Sequence, residues 1–171
     1  MDDRINALLS DLEAMHSSQE VHARRGELAE ELAAQAAERT LVERLRGSLG
    51  HPVQLRVAGR EVAGTADFLG AGILVVTGIE TVVVSLSSVV EARTRARRHQ
   101  REVGGLERLG MGSALRRLSA AREELTIVLT GEGGTIRGHA EMVASDYLEI
   151  AGRIIPHHAI ALVSARINPF A

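Results

Sequence analysis

Residues 53–78 read VQLRVAGREVAGTADFLGAGILVVTG, and residues 127–152 read IVLTGEGGTIRGHAEMVASDYLEIAG. At an offset of 74, Val53, Leu55, Gly59, Gly64, Ala66, Leu74, Val76 and Gly78 fall on Ile127, Leu129, Gly133, Gly138, Ala140, Leu148, Ile150 and Gly152. The second stretch then becomes three residues shorter, and Ser85-Leu86-Ser87-Ser88-Val89 falls on Pro156-His157-His158-Ala159-Ile160. In the first stretch Val53, Leu55 and Val57 alternate, Gly59 and Gly64 bracket a hairpin, and Ile73–Val76, Thr81–Val84 and Val89-Val90 are β-rich runs. The second repeats the pattern with Leu125, Ile127 and Leu129, then Tyr147–Ile150, Ile154-Ile155 and Ile160–Val163. A helix followed by roughly five strands, occurring twice, implies duplication of one unit. Strands this short and closely spaced predict small barrels, which close on themselves and so leave no exposed edge.

Outside the repeat the period changes from 2 to 3.6. Ile5, Leu8, Leu9, Leu12 and Met15 line one helical face, and Ser17 with Glu20 has the form of a capping box. Ala-, Glu- and Leu-rich sequence continues to about residue 48, where Gly50-His51-Pro52 stops it. Leu28, Leu32, Val42 and Leu49 lie on a heptad seam that Gln35, Arg39 and Arg46 interrupt, which fits a helical hairpin or a dimerising helix. Ser113 is expected to cap a short helix to about Glu124, with Leu115 and Leu118 inward. The expected architecture is mainly β with helices (α+β). A helical arm spans 1–48, a first five-stranded barrel 49–92, an Arg-rich linker with a short helix 93–124, a second barrel 125–166, and a tail 167–171.

With 171 residues, 45% hydrophobic and 25% charged, the chain has the balance of a folded protein. Having no cysteine, it has no disulfide framework or thiol nucleophile. No apolar run approaches a membrane span, and MDDRINALL is acidic where a signal peptide is basic, so a cytoplasmic protein without membrane contact is expected. All 20 basic residues are Arg, which codon bias explains more simply than selection for guanidinium chemistry. The net charge of −2 conceals segregation: residues 93–122 hold nine arginines against Glu102 and Glu107, whereas residues 1–50 hold ten acids against six arginines. Arg93, Arg95, Arg97, Arg98 and Arg101, with His99 among them, form the densest basic run. It is either a polyanion-binding stretch or a solvated linker that pairs with acidic helices.

The unit V-x-L-x-x-x-G-x-x-x-x-G-x-A, followed by an apolar strand, a polar turn and a last strand, resembles the Sm-like (LSm/Hfq-like) fold, whose members include a bacterial RNA chaperone. Ile154-Ile155-Pro156-His157-His158-Ala159-Ile160 resembles that chaperone's tyrosine-lysine-histidine-alanine-isoleucine stretch. His158 falls on the family histidine and His157 on the lysine, near what is a uridine-binding surface in the family. The family's phenylalanine-aspartate pair is Val143-Ala144 here and Leu69-Gly70 in the first copy, and its stacking aromatic falls on Asp146 or Gly72. The resemblance therefore implies the fold, without the specific uridine pocket. The whole chain also resembles a group of actinobacterial proteins, some labelled Fis-type transcriptional regulators, although no helix-turn-helix pattern is present.

Catalysis is not expected. His157 and His158 are adjacent and cannot share a metal without a turn, and Gly131–Gly134 lacks the lysine of a phosphate loop. Asp67 and Glu141 occupy equivalent positions and read as hairpin charges rather than an acid–base pair. No metal or cofactor is implied. Two functions fit the pattern. One is non-enzymatic RNA or DNA binding of a regulatory kind through Arg93, Arg95, Arg97, Arg98, Arg101, His157 and His158. The other is a protein-interaction or assembly module that self-associates through its acidic N-terminal helices. Because fusing two units makes a six- or seven-membered ring less obvious, a monomer or dimer is expected.

Overall fold

The computed structural model describes residues 24–96, 108–131 and 134–171. The chain divides into two compact units, Met1–Thr40 and Leu41–Ala171. In the first, helix α1 spans 24–37 and all of its residues are exposed. It ends before Thr40, so the heptad seam does not continue along a single helix into Val42. The Ser17–Glu20 capping box lies outside the described residues.

The second unit is mixed, with helices against a mostly antiparallel sheet. Helix α2 (Leu41–Arg46) leads into β1 (Pro52–Val57), β2 (Arg60–Gly70), β3 (Ile73–Thr77), β4 (Thr81–Ser85) and β5 (Val89–Thr94). Helix α3 (Met111–Ala120) leads into β6 (Glu124–Leu129), β7 (Thr135–Val143), β8 (Tyr147–Ile150), β9 (Arg153–Pro156) and β10 (Ile160–Ala165). The α3 helix starts from an extended Gly110 rather than from Ser113, and the chain leaves it through Arg122, whose φ is +54°. Ala114, Leu115 and Leu118 form its buried stripe, as 3.6-residue spacing requires.

Two closed barrels were expected, and the structure corrects this. The ten strands form one open sheet in the order β5-β1-β2-β3-β4-β10-β6-β7-β8-β9. Each copy supplies five neighbouring strands, but neither copy pairs its fourth strand with its own fifth. The fourth strand of the first copy pairs instead with the fifth strand of the second, in the register Leu162↔Val84, Val163↔Val83, Ser164↔Val82 and Ala165↔Thr81. The hydrogen bonds that would close one barrel are thus spent on joining two copies.

The duplication is visible in the registers. Beta-2 and β3 pair Thr65↔Thr77 and, after a bulge, Phe68↔Val75; β7 and β8 pair Ala140↔Ile150 and, after a bulge, Met142↔Glu149. The bulge is at the same position at an offset of 74, and it bends each long strand so that one half faces β1 or β6 and the other β3 or β8. The first strand departs from that alignment. Val53↔Gly64 in the first copy corresponds to Leu125↔Gly138 in the second, so β6 matches β1 at an offset of 72. A slip of two residues leaves every side chain on its original face, so apolar alternation alone cannot detect it. The extra length lies in the loop between β6 and β7.

Two buried clusters form, one centred on each copy. Leu45, Val53, Leu55, Val57, Leu69, Leu74 and Val84 anchor the first; Leu115, Leu118, Leu125, Ile127, Leu148, Ile150 and Ile155 anchor the second. Between β1 and β2, Ala58 and Gly59 both have positive φ, the geometry of a two-residue hairpin turn matched to strand twist. Gly64 serves a different purpose. A Cβ there would lie 2.5 Å from the Thr77 carbonyl oxygen and 2.9 Å from its carbon, both backbone atoms, whereas at Gly138 the nearest atom is a flexible Ile150 Cγ1 at 3.4 Å. Gly64→Ala is therefore expected to destabilise by about 2 kcal/mol or more and Gly138→Ala by less than about 1 kcal/mol. Equal losses in chemical denaturation would show that the first hairpin can yield at Thr77.

Candidate nucleic-acid interface

The arginines of the basic run begin on β5. Because β5 pairs with β1, Arg56 lies opposite Glu91 and Gln54 opposite Arg93. The carboxylate of Glu91 is shared: Arg56 Nη2 approaches one oxygen at 2.6 Å, and Arg93 Nε donates to the other at 2.7 Å. Gln54, Arg56, Glu61, Glu91 and Arg93 line a shallow polar groove, which continues along Pro52, Thr94 and Arg95. Arg95 is exposed just beyond the strand. Exposed ion pairs of this kind are worth only about 0–1 kcal/mol, so a phosphate can draw Arg93 or Arg56 away from Glu91 at little cost. Arg97, Arg98, Arg101 and His99 lie outside the described residues.

The histidines are elsewhere. His157–Ala159 form a single 3-10 turn between β9 and β10, not a strand. The His157 backbone N–H donates to the Asp146 carbonyl at 2.7 Å, and His158 is exposed. The His157 ring is half-buried, packed so closely to the first turn of α3 that a Cβ on Gly112 would lie 3.1 Å from its Cε1. Its Nε2 is buried without a hydrogen-bond partner. Burial pushes the His157 pKa below the usual histidine value, and Arg116 adds to this, while a hydrogen bond to the Tyr147 backbone and the charge of Asp146 oppose it. His157 thus packs under a helix rather than presenting a cation. Among the described residues, Arg93 and Arg95 lie at the end of β5, and His157 and His158 directly follow β9; these two strands are the opposite ends of the strand order.

Three features around these residues were not read from the sequence. Arg56 joins Arg93 only because β1 and β5 pair, and its one sequence signal is its outward parity beside Gln54 on β1. Arg117, counted with the basic segment, instead donates to the Pro169 carbonyl at 2.9 Å and lies 5.0 Å over the Phe170 ring. Phe170 stacks on Phe68 at 4.2 Å between centroids, and Asn168 hydrogen-bonds to Asp67, so residues 167–171 are docked.

Asp67 and Glu141 are the bulged residues of β2 and β7. Asp67 accepts from Thr77 Oγ1 at 3.3 Å and Glu141 from the Gly152 N–H at 3.1 Å, so each ties its bulge to the far end of the next strand, where the β3–β4 or β8–β9 turn begins. Among the described residues, no group of three or more His, Asp or Glu converges as a metal site, and no helix is long and apolar enough to cross a membrane. No protein-family model matches this chain, and no curated protein matches it in sequence.

The lowered pKa of His157 has a testable consequence. The unfolded chain binds a proton there more readily than the folded chain, so this residue's contribution to stability is complete above the ordinary histidine pKa and is lost as pH falls through and below it. The melting temperature of His157→Phe is expected to fall less between pH 7.5 and pH 5.5 than that of the parent protein. Parallel profiles would reject this account.

Proposed function

We propose that this chain is a non-enzymatic, nucleic-acid-associated protein of regulatory type, built on a tandem Sm-like repeat, which holds phosphates with the arginines at and beyond the end of β5. The observation that carries the reading is the exposure of Arg93 and Arg95 beside Arg56, where the chain enters the stretch containing Arg97, Arg98 and Arg101. Guanidinium groups suit this task because each presents two parallel donors to phosphate oxygens. The five-strand unit with its conserved spacing of bulge and turn in both copies supports the Sm-like comparison. With the family's stacking aromatic replaced by Asp146 or Gly72, binding is expected to follow backbone charge more than base identity.

A second reading, an assembly module working through the N-terminal helices, draws on one specific feature: α1 leaves Leu28 and Leu32 more than half exposed.

Binding of a single-stranded RNA and of a DNA duplex, measured by fluorescence anisotropy across a salt series, tests the first reading. Replacing Arg93, Arg95, Arg97 and Arg98 by Ala is expected to weaken binding at low salt and to reduce the slope of log affinity against log salt by about 3. Absence of binding by the parent chain at low salt would overturn it.

A further inference from the structure

His157 stands where the first copy has a leucine. The single turns Leu86–Ser88 and His157–Ala159 are equivalent, and each opens on the same backbone bond. The Leu86 N–H donates to the Gly72 carbonyl at 2.9 Å, and the His157 N–H to the Asp146 carbonyl at 2.7 Å. Leu86 packs on the first core. His157 fills the matching place with a ring that can become charged, and among the described residues its buried Nε2 has no hydrogen-bond partner. The charged and titratable groups around it are few. Arg116 reaches over from α3: a Cβ on Gly112 would lie 3.1 Å from the ring's Cε1 and 3.3 Å from Arg116 Nη1. Asp146 and the Tyr147 backbone face the ring from the entry to β8. The Tyr147 hydroxyl is engaged with Met142 Sδ at 3.7 Å, and His158, next in the turn, is exposed.

The start of α3 is also held from the first copy. Ala71, between β2 and β3, donates its N–H to the Leu109 carbonyl at 3.0 Å and forms a parallel bridge with Gly110. The approach is close: a Cβ on Gly70 would overlap the Leu109 oxygen, and one on Gly110 would lie 2.9 Å from the Ala71 oxygen. Residues 109–112 thus rest on two supports, the β2–β3 turn of one copy and the His157 ring of the other.

We propose that protonation of His157 releases the start of α3, so that the contact of Ala71 with Leu109 and Gly110 is closed at neutral pH and opens in acid. The cation carries an N–H at Nε2, where the folded chain offers no acceptor, and it sits beside a permanent guanidinium. Burying such a group is costly, and the like charge of Arg116 adds to the cost. Asp146 and the Tyr147 backbone favour the cation, but the pKa of His157 is lowered, so burial and Arg116 prevail. The ring reaches water by leaving its place under Gly112. The segment that must yield contains Gly110 and Gly112 and has no side-chain cap, so its backbone gives way at less cost than a capped helix start. Leu86 does not titrate, so the response belongs to the second copy alone. It acts at the C-terminal end of the Arg-rich stretch and does not depend on what that stretch binds.

Amide hydrogen exchange of the full chain at pH 7.5 and pH 5.5, corrected for the intrinsic effect of pH on exchange, tests the proposal. The Ala71 N–H reports the anchor, and the Ser113 and Ala114 N–H groups, both bonded to the Gly110 carbonyl, report the first turn. Protection at these three is expected to fall about threefold or more in acid, while the amides of the β4–β10 joint keep theirs. His157→Leu, which copies Leu86, is expected to abolish the response, with His157→Phe as a second replacement. His158→Leu, at the exposed neighbour, is expected to retain it. Unchanged protection of the parent in acid would overturn the proposal. So would an equal fall in both His157 variants, loss of the response in His158→Leu, or a fall that extends equally to the β4–β10 joint and so reports unfolding of the whole unit.

Discussion

The pairing of β4 with β10 is the constraint on which the rest of the second unit depends. Without it, Val83 and Ala161 lose the neighbours that keep them dry, and the two cores separate. A strand edge is a row of unsatisfied donors and acceptors, and a domain can remove it by closing a barrel or by lending it to another copy. This chain does the second. Both cores are therefore composite: Ile73, Val75 and Val83 leave the first copy to fill the second, and Val128, Ala161 and Leu162 make the reverse exchange. Neither copy is a self-sufficient hydrophobic unit, although each has its own helix.

Much of this architecture was legible in the residues. The period-2 runs at 53–57, 73–76 and 81–84 are strands, and Leu115 and Leu118 are on the buried face of α3. What the residues did not disclose was which edge meets which. Alternation records only the face on which a side chain lies, and it is blind to both a two-residue slip at β6 and a partner contributed by another copy. The same limit applied to the candidate interface. A run of arginines is visible in one dimension, whereas the Arg56–Glu91–Arg93 group exists only after β1 and β5 are paired. His157 looked like a ligand position by sequence analogy, yet its ring is packed under the start of α3.

Equivalent positions in the two copies have also diverged in a directed way. Val128 and Leu162, apolar at the inner joint, correspond to Arg56 and Glu91 at the outer edge, where water is the default neighbour. Gly64 is pressed against backbone, but Gly138 has room. Asp67 braces Thr77 and also receives Asn168 from the C-terminal residues; Glu141 braces only its own turn. Duplication supplied two equal frames, and the joint between them imposed unequal demands on each.

The long loop enclosed by the β4–β10 joint also bears on how the molecule is made. On the ribosome, β4 emerges before the entire second copy, and its mate is the final strand of that copy. At roughly 5–20 residues per second, that interval amounts to several seconds. Throughout it, the Thr81–Ser85 edge, with the apolar Val82-Val83-Val84 run along it, lacks the strand that pairs with it in the folded chain. An apolar strand edge left open for that long favours misassembly between neighbouring nascent chains.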